Sequence, residues 1–399
     1  MIRWPLIVAC LSAATSAVYA QPAPAGYVSL FADRLPNRDA TELRARIFAE
    51  EKVDAGSRVR LVASGFVEGL LAGRDGAAVR DAAAEAHELT ATLRTRRVDV
   101  TAGFGRVVWG RLDELQPTDV VNPLDVSRFF FEGRGEARLA VPLVRATVYA
   151  GERASVEGVY VPFFRRGRFD RLDEPTSPFA IGPGVPFTER APERTAGNAQ
   201  GGVRANFTSG RVDWSVSAYR GFRPFGIYAA ADPLTVERVY PRFTMLGGDF
   251  ETVFGAWAVR GEAAAFTRDA FQPQAPGPAP TGSSFDAGGG VDRKAGEYRI
   301  SGQVLLHRES DDAAPDSRTD VSLIVSADRT FARQKYEGRL FGVYNPTSGA
   351  AFVRAIARAN LRDNVALEGS IGAFAGEGTD NIGRFADSDF AYVRLKYSF

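Results

Sequence analysis

Two histidines, His87 and His307, are the side chains of this sequence best suited to proton transfer, and a base–nucleophile pair would need a Ser or Asp beside one of them. Both are expected near the rim formed by long loops, as surface residues rather than as a catalytic base. The 399 residues contain no Gly-x-Ser-x-Gly, no paired metal ligands and no phosphate-cradling glycine loop. With 2 His, 2 Met and 1 Cys there are few ligands for a transition metal. The acids Glu309, Asp311, Asp312, Asp316 and Asp320 are spaced unlike a calcium-binding loop and are expected in a solvated connection. No catalytic residue, metal site or cofactor is expected, and the protein does not read as an enzyme. The chemistry rests instead with charges strung along one segment. Between Trp109 and Phe131 stand Arg111, Asp113, Asp119, Asn122, Asp125 and Arg128, followed by three consecutive phenylalanines. These residues can hold the segment through caps and ion pairs, and they can also line a constriction whose charges select what passes. Both readings can hold together.

The elements that position this segment show in the alternation. Val59, Leu61, Ala63, Val67 and Leu71 share one parity, while Arg58, Arg60, Ser64 and Glu68 share the other. The same period of two runs through 211–218, 298–307 and 353–361. Short turns such as Asp54-Ala55-Gly56, Ser209-Gly210 and Arg362-Asp363 interleave with long polar excursions, so the strands pair as hairpins with long loops at one end only. Upward strands are expected near 27–34, 57–71, 98–109, 152–164, 211–222, 256–267, 297–308, 335–345 and 364–376. Downward strands are expected near 42–53, 88–95, 138–149, 199–208, 239–254, 285–294, 319–331, 350–361 and 388–399. The spacing therefore predicts an all-β, transmembrane antiparallel β-barrel of about 18 strands, with 16 if the runs at 27–34 and 285–294 do not form. Long loops are expected at 72–87, 110–137, 165–198, 223–238 and 268–284.

A soluble sandwich would need shorter strands; runs of 10 to 13 residues suit a tilted crossing of a bilayer instead. Closure is what permits such a crossing, because every backbone polar group must be paired within hydrocarbon. The apolar parity then meets lipid and the polar parity meets a hydrated lumen. On that parity lie Arg204, Arg260, Glu262, Arg339, Arg354, Arg358, Glu368, Arg394 and Lys396, which are the lumen-lining candidates. They read either as a generic hydrated wall of weak ion pairs or as a basic ladder favouring anions. Tyr160, Trp257, Tyr298, Tyr344 and Tyr397 fall near strand ends, where interfacial aromatic girdles form. The 110–137 loop has Asn122 placed as an N-cap with Pro123 at the first helical position, and its phenylalanines can anchor it inside the barrel.

The stretch from Glu88 to Phe131 resembles a family of proteobacterial outer-membrane barrels, many known only as a domain of unknown function and related to porin-like and alginate-export-like channels. The residues that carry the resemblance are Leu93-Arg94-Thr95-Arg96-Arg97-Val98-Asp99-Val100, Gly105, Val108-Trp109-Gly110, Asp113, Thr118-Asp119-Val120-Val121-Asn122-Pro123 and Asp125. Arg106 stands where that family often has Gln. The terminal run Ala391, Val393, Leu395, Tyr397 and Phe399 likewise resembles the signal by which such barrels reach their assembly machinery. The resemblance implies an outer-membrane protein that moves a solute or envelope molecule.

The N-terminus fits export. Met1-Ile2-Arg3, an apolar run from Trp4, and Val18-Tyr19-Ala20 before Gln21 have the layout of a signal peptide cut after Ala20. Residues 1–20 are thus expected to be removed, and 21–399 to form the barrel with its inward-folding loop at 110–137. Loss of Arg3 from the 49 basic residues leaves them equal to the 48 acids, which excludes a nucleic-acid footprint. The expected partners are outer-membrane lipid, the barrel-assembly machinery through Phe399 and a small solute; a homo-oligomer stays open. The expected work is passive or gated diffusion of hydrophilic or amphiphilic solutes. The alternative is a loop-closed barrel acting as an export partner, surface receptor or structural protein.

Overall fold

The computed structural model describes residues 25–74, 76–169, 186–232, 235–273, 277–313, 317–377 and 382–399. The expected signal peptide lies outside the described residues. In chain order the strands are β1 (Ala25–Leu35), β2 (Ala40–Ala55), β3 (Val59–Arg74), β4 (Ala77–Arg94), β5 (Val98–Gly105), β6 (Val141–Tyr149), β7 (Ala154–Val161), β8 (Phe187–Arg190), β9 (Gln200–Ser209), β10 (Val212–Phe222) and β11 (Ile227–Asp232). They continue as β12 (Thr235–Val239), β13 (Arg242–Phe254), β14 (Trp257–Ala270), β15 (Thr281–Ala295), β16 (Tyr298–Asp311), β17 (Ser317–Phe331), β18 (Tyr336–Tyr344), β19 (Ala351–Arg362), β20 (Val365–Ala375) and β21 (Phe390–Ser398). Two short helices, α1 (Val126–Glu132) and α2 (Arg134–Ala137), lie between β5 and β6.

Eighteen of these strands form one antiparallel barrel, and β8, β11 and β12 make a separate three-stranded sheet. The barrel closes where β1 pairs with β21, from Tyr27 opposite Ser398 to Arg34 opposite Ala391. Gly26 and Phe399 exchange backbone hydrogen bonds of 3.0 Å beside this seam, so both ends of the barrel lie on the short-turn side.

Side-chain exposure separates the two parities. On β2, Leu43 and Ile47 are 52% and 57% exposed, whereas Glu42 and Arg46 are 7% and 5% exposed. A charged residue hidden beside an exposed aliphatic one is the reverse of a water-soluble sheet, and it is the pattern that lipid outside and polar groups inside demand. At the short-turn end, exposed Trp257 and Tyr298 carry the guanidinium groups of Arg293 and Arg329 over their rings. Tyr160, Tyr344 and Tyr397 also face outward, exposed, near strand ends.

Several expectations need correction. The predicted loop at 223–238 contains β11 and β12, and the predicted strand at 98–109 stops at Gly105, where the chain turns inward. The predicted loop at 72–87 is strand: beyond a bulge at His87, β3 and β4 pair from Gly65 opposite Ala86 up to Arg74 opposite Ala77. The alanine-rich run 77–86 offers little contrast between its two parities, which hid the alternation. The predicted loop at 268–284 shrinks to 271–280, because β14 and β15 extend to Ala270 and from Thr281. Glu309 to Asp311 and Ser317 to Asp320 belong to β16 and β17 rather than to a loop; Asp316 lies outside the described residues.

Candidate functional site

The chain leaves the wall at Gly105 and does not return until Val141. The inserted segment is apolar on one side: Val107, Trp109, Leu112 and Val121 are buried. Val107, Trp109 and Val121 join a cluster with wall residues Leu143, Val159, Tyr219, Phe243, Met245 and Phe266. Wall glycines make room for it. A Cβ on Gly202 would stand 3.0 Å from the Trp109 ring, one on Gly247 would stand 2.6 Å from Thr118, and one on Gly288 would stand 2.8 Å from Leu112. The indole Nε1 of Trp109 donates to Glu157 at 2.7 Å.

One wall carboxylate grips the segment. Glu262, only 4% exposed, accepts from the backbone N–H of Arg111 (2.9 Å), Leu112 (3.3 Å) and Thr118 (2.7 Å) and from the Thr118 hydroxyl (2.8 Å). The chain reaches this geometry through Gly110 at φ 87°, where a Cβ would lie 2.6 Å from a Glu262 oxygen. Asp249 then takes the Arg111 Nε at 2.7 Å, together with Arg204 at 2.8 Å.

Beyond Thr118 the segment braces itself. Asp119 accepts from Arg134 (2.9 Å) and Arg138 (2.9 Å), and Asn122 accepts the Val107 N–H at 2.7 Å while donating to Leu139 O at 2.8 Å. Asn122 is therefore an internal strut and not the expected cap. Asp125 caps α1, accepting the Arg128 N–H at 3.2 Å and the Ser127 hydroxyl at 2.8 Å, and it also binds Arg168 Nε at 2.6 Å. An Asp one turn later wins because its ionised oxygen satisfies the helix N-terminus better than an amide already committed to the backbone.

Helix α1 docks on the far wall. Phe130 meets Phe352, Phe374 and Phe385 edge-on at 5.1, 4.9 and 5.3 Å, and Phe131 meets Phe31 and Phe390. At its C-terminal end Glu132 receives a bidentate pair from Arg46 (2.7 and 2.8 Å), while Arg46 also binds Glu68 at 2.7 Å. Burial pushes the Glu132 carboxyl up, but Arg46, with Arg128 and Arg44 behind it, outweighs burial and holds it well below the ordinary carboxylate range. Arg354 donates to Phe131 O at 2.7 Å and to the Tyr392 hydroxyl.

The expected site residues thus divide. Asp119, Asn122, Asp125 and Arg128 are buried inside the segment's own scaffold. Asp113 keeps 40% side-chain exposure and pairs with Arg260 at 3.3 Å; Arg260 also reaches Asp292 at 2.6 Å and Glu251 at 3.1 Å. Arg111 is partly exposed above Asp249. Arg339 binds Glu114 at 2.7 Å, and Glu368 binds Arg394 at 2.9 Å. Arg358 is exposed on the inward parity, and Lys396 lies 4.0 Å over the Tyr27 ring. Glu114, Glu132, Arg134, Arg138, Arg168 and Glu85, which accepts from Arg168 at 2.8 Å, were not singled out from sequence. Acids followed by arginines within 105–140 were the only local signal, and Arg168 comes from a different connection.

Of the two histidines only His307 lies near the long-loop end of its strand, partly exposed; His87 does not reach the rim. His87 is buried in the middle of β4 between Phe48 and Phe66, and His307 bonds Asp286 and Glu309 (3.1 Å) on the inward parity of β15 and β16.

Two spaces flank the docked segment. A cavity of about 440 Å³ on the long-loop side is lined by Phe129, Phe130, Phe225, Phe243, Phe266, Arg134, Arg223, Asp286, His307 and Asp320, among others. A smaller one of about 130 Å³ lies below it, lined by Glu114, Glu132, Arg339, Arg354, Glu368 and Arg394. Their walls share Glu114, Phe129, Phe130, Phe341 and Phe352. On β18, Val343 lines the upper space, Phe341 both and Arg339 the lower, so the two follow one another down the barrel.

A family model described as "Protein of unknown function (DUF1302)" matches residues 89–328, more than half of the chain. No curated protein matches the sequence. Among solved structures, OccK5 (OpdH) of Pseudomonas aeruginosa is similar with a TM-score of 0.53 at 11% identity over 94% of this chain and 97% of that one. OccAB3 of Acinetobacter baumannii is similar with a TM-score of 0.53 at 9% identity over 94% and 98%. OccK2 (OpdF) of Pseudomonas aeruginosa, in complex with glucuronate, is similar with a TM-score of 0.50 at 10% identity over 94% and 94%. At such identities the likeness is one of fold, a porin-like β-barrel.

Proposed function

This chain belongs to the DUF1302 family, whose function is unknown, and on that footing we propose that it is an outer-membrane channel for small hydrophilic or amphiphilic solutes. The observation that carries this reading is the pair of cavities that follow one another past Phe129 and Phe130, between the docked segment and the wall of β18 and β19. A solute descends from a wide, aromatic space to a narrow one lined by Arg339, Arg354, Arg394, Glu114, Glu132 and Glu368. The segment 110–137 sets the bore, and Arg111 and Asp113 are its constriction charges. Asp119, Asn122, Asp125 and Arg128 contribute by keeping the segment rigid. In this light the Trp109-to-Asp125 motif is a docking signature, since each of its polar residues holds the segment to itself or to the wall. The wall residues Arg204, Arg260 and Glu262 anchor, while Arg339, Arg354, Arg358, Glu368, Arg394 and Lys396 line the route below. Export through a signal peptide cleaved after Ala20, and delivery to the assembly machinery through Phe399, belong to the same reading.

Purified protein in a planar bilayer tests the proposal. Stable ohmic steps that grow when residues 111–131 are replaced by a short glycine–serine link support it. A wild-type barrel that never conducts, and leaks only after that replacement, overturns it in favour of a sealed receptor or export partner.

A further inference from the structure

The outward faces of β10, β13 and β14 change character at their long-loop ends. Midway they are apolar and exposed, as at Val216 (50%) and Leu246 (61%). Two to four residues higher stand Arg220 on β10, Arg242 and Thr244 on β13, and Thr267 and Arg268 on β14. Register gathers them: Arg220 lies opposite Thr244, Thr244 lies opposite Thr267, and Arg242 lies opposite Phe222. With strands about 4.8 Å apart, the backbone positions of Arg220 and Thr267 are roughly 10 Å apart, well within reach of two guanidinium groups converging on one ligand. Arg268 owes its position to a break in register between Phe266 and Asp269, which adds a residue at φ 58° and turns it outward.

This patch has no internal counter-charge. The outward parity of β9, β10, β13 and β14 carries no acid at any position. Arg242 is fixed by donating to Gly197 O (3.0 Å) and Ala199 O (2.8 Å) and by lying over the Phe222 ring at 4.7 Å. Arg220 and Arg268 have no acid or carbonyl partner among the described residues, and Arg220 is close enough to Arg242 for their like charges to repel. Like charges on neighbouring strands are unfavourable unless an anion lies between them.

We propose that Arg220, Arg242 and Arg268, with the hydroxyls of Thr244 and Thr267, bind the phosphate of a membrane lipid in the leaflet on the long-loop side. The lipid's acyl chains then lie along Val216 and Leu246 below. Phosphate suits the site because guanidinium groups grip its oxygens in pairs and threonine hydroxyls supply further donors. A lipid is favoured over a free anion because the charged patch continues directly into an exposed apolar surface, matching a molecule with one phosphorylated end and one greasy end. The inference rests on the membrane-barrel reading above.

Flotation of the protein with neutral phosphatidylcholine vesicles tests that reading on its own, and failure of the wild type to float overturns both. For the lipid site, native mass spectrometry of detergent-purified protein is run with phosphatidic acid, with phosphatidylcholine, and with phosphatidic acid plus inorganic phosphate at equal concentration. The wild type is expected to retain one phosphatidic acid, and Arg220→Gln/Arg268→Gln about fivefold less while still floating. Arg220→Lys/Arg268→Lys, which keeps the charge but loses the forked donors, should fall between. Equal retention by wild type and the Gln variant overturns the proposal, as does displacement of the lipid by inorganic phosphate.

Discussion

Glu262 of the barrel wall holds Thr118 of the inserted segment twice, through its backbone N–H at 2.7 Å and its hydroxyl at 2.8 Å. These residues lie 144 positions apart in sequence, and their contact ties the segment to the wall. Hydrogen bonds to a charged acceptor contribute about 1.5–3 kcal/mol each. Glu262→Ala is expected to free the 106–118 stretch, raise single-channel conductance and expose the segment to protease. Unchanged conductance and digestion in that variant would show that the aromatic contacts suffice.

Gly110→Ala should act on the same latch from the other side. It combines an unfavourable positive φ with a methyl 2.6 Å from the Glu262 carboxylate. Because both changes break one contact, the double variant Gly110→Ala/Glu262→Ala should conduct no more than the worse single variant. Additive increases would separate the two residues.

Acid should loosen the opposite anchor. Glu132 is held below the ordinary carboxylate range, with burial opposing the shift and Arg46 producing it. A depressed folded pKa means that the stabilisation is complete above the unfolded value of about 4.3 and is lost as pH falls through the folded one. Current noise and protease sensitivity at 126–137 should therefore rise in strongly acidic solution. Glu132→Gln should show the loosened behaviour already at neutral pH, because Arg46 keeps Glu68 at 2.7 Å but loses its second carboxylate, at a cost of roughly 2 kcal/mol. A Gln variant as quiet and acid-sensitive as the wild type contradicts this.

Asp113 should set ion preference. It is the exposed acid facing Arg260 at 3.3 Å and Arg299 at 3.9 Å. Asp113→Asn removes one of the acids that balance Arg260 and Arg299, leaving them Asp292 and Glu251, and should shift the reversal potential toward anions, by roughly twofold in permeability ratio at low salt and less at 1 M, where screening acts over about 3 Å. A shift toward cations, or none at low salt, places Asp113 away from the ion path.

Phe130 separates the two cavities while packing on Phe352, Phe374 and Phe385. Phe130→Ala should join them and raise conductance, with a local destabilisation of about 3–5 kcal/mol. Passage of larger amphiphiles in a vesicle-swelling assay would accompany it; a lower conductance would mean that the helix collapses into the bore.

The sequence alone determined the barrel. Period-two alternation and the contrast between tight turns and long loops are local properties, readable wherever the two parities differ, as between Leu61 and Arg60. They were unreadable at 77–86, where alanine occupies both parities. The inward segment was also legible as an insertion, because Pro123 and Phe129–Phe131 break the alternation. Only the tertiary structure decided how that segment is held and what remains for solutes. Asp119, Asn122 and Asp125 look equally able to face a pore, yet each is buried because its partners, Arg134 and Arg138, Val107 and Leu139, or Arg168, come from other turns or other loops. Likewise the inward parity is not uniformly polar: Phe341, Phe352, Phe374 and Phe390 point inward because Phe130 and Phe131 are there to meet them. Parity assigns a side chain to a face, but closure of the ring decides which side chains from distant strands share a height, and it is that sharing which makes a constriction.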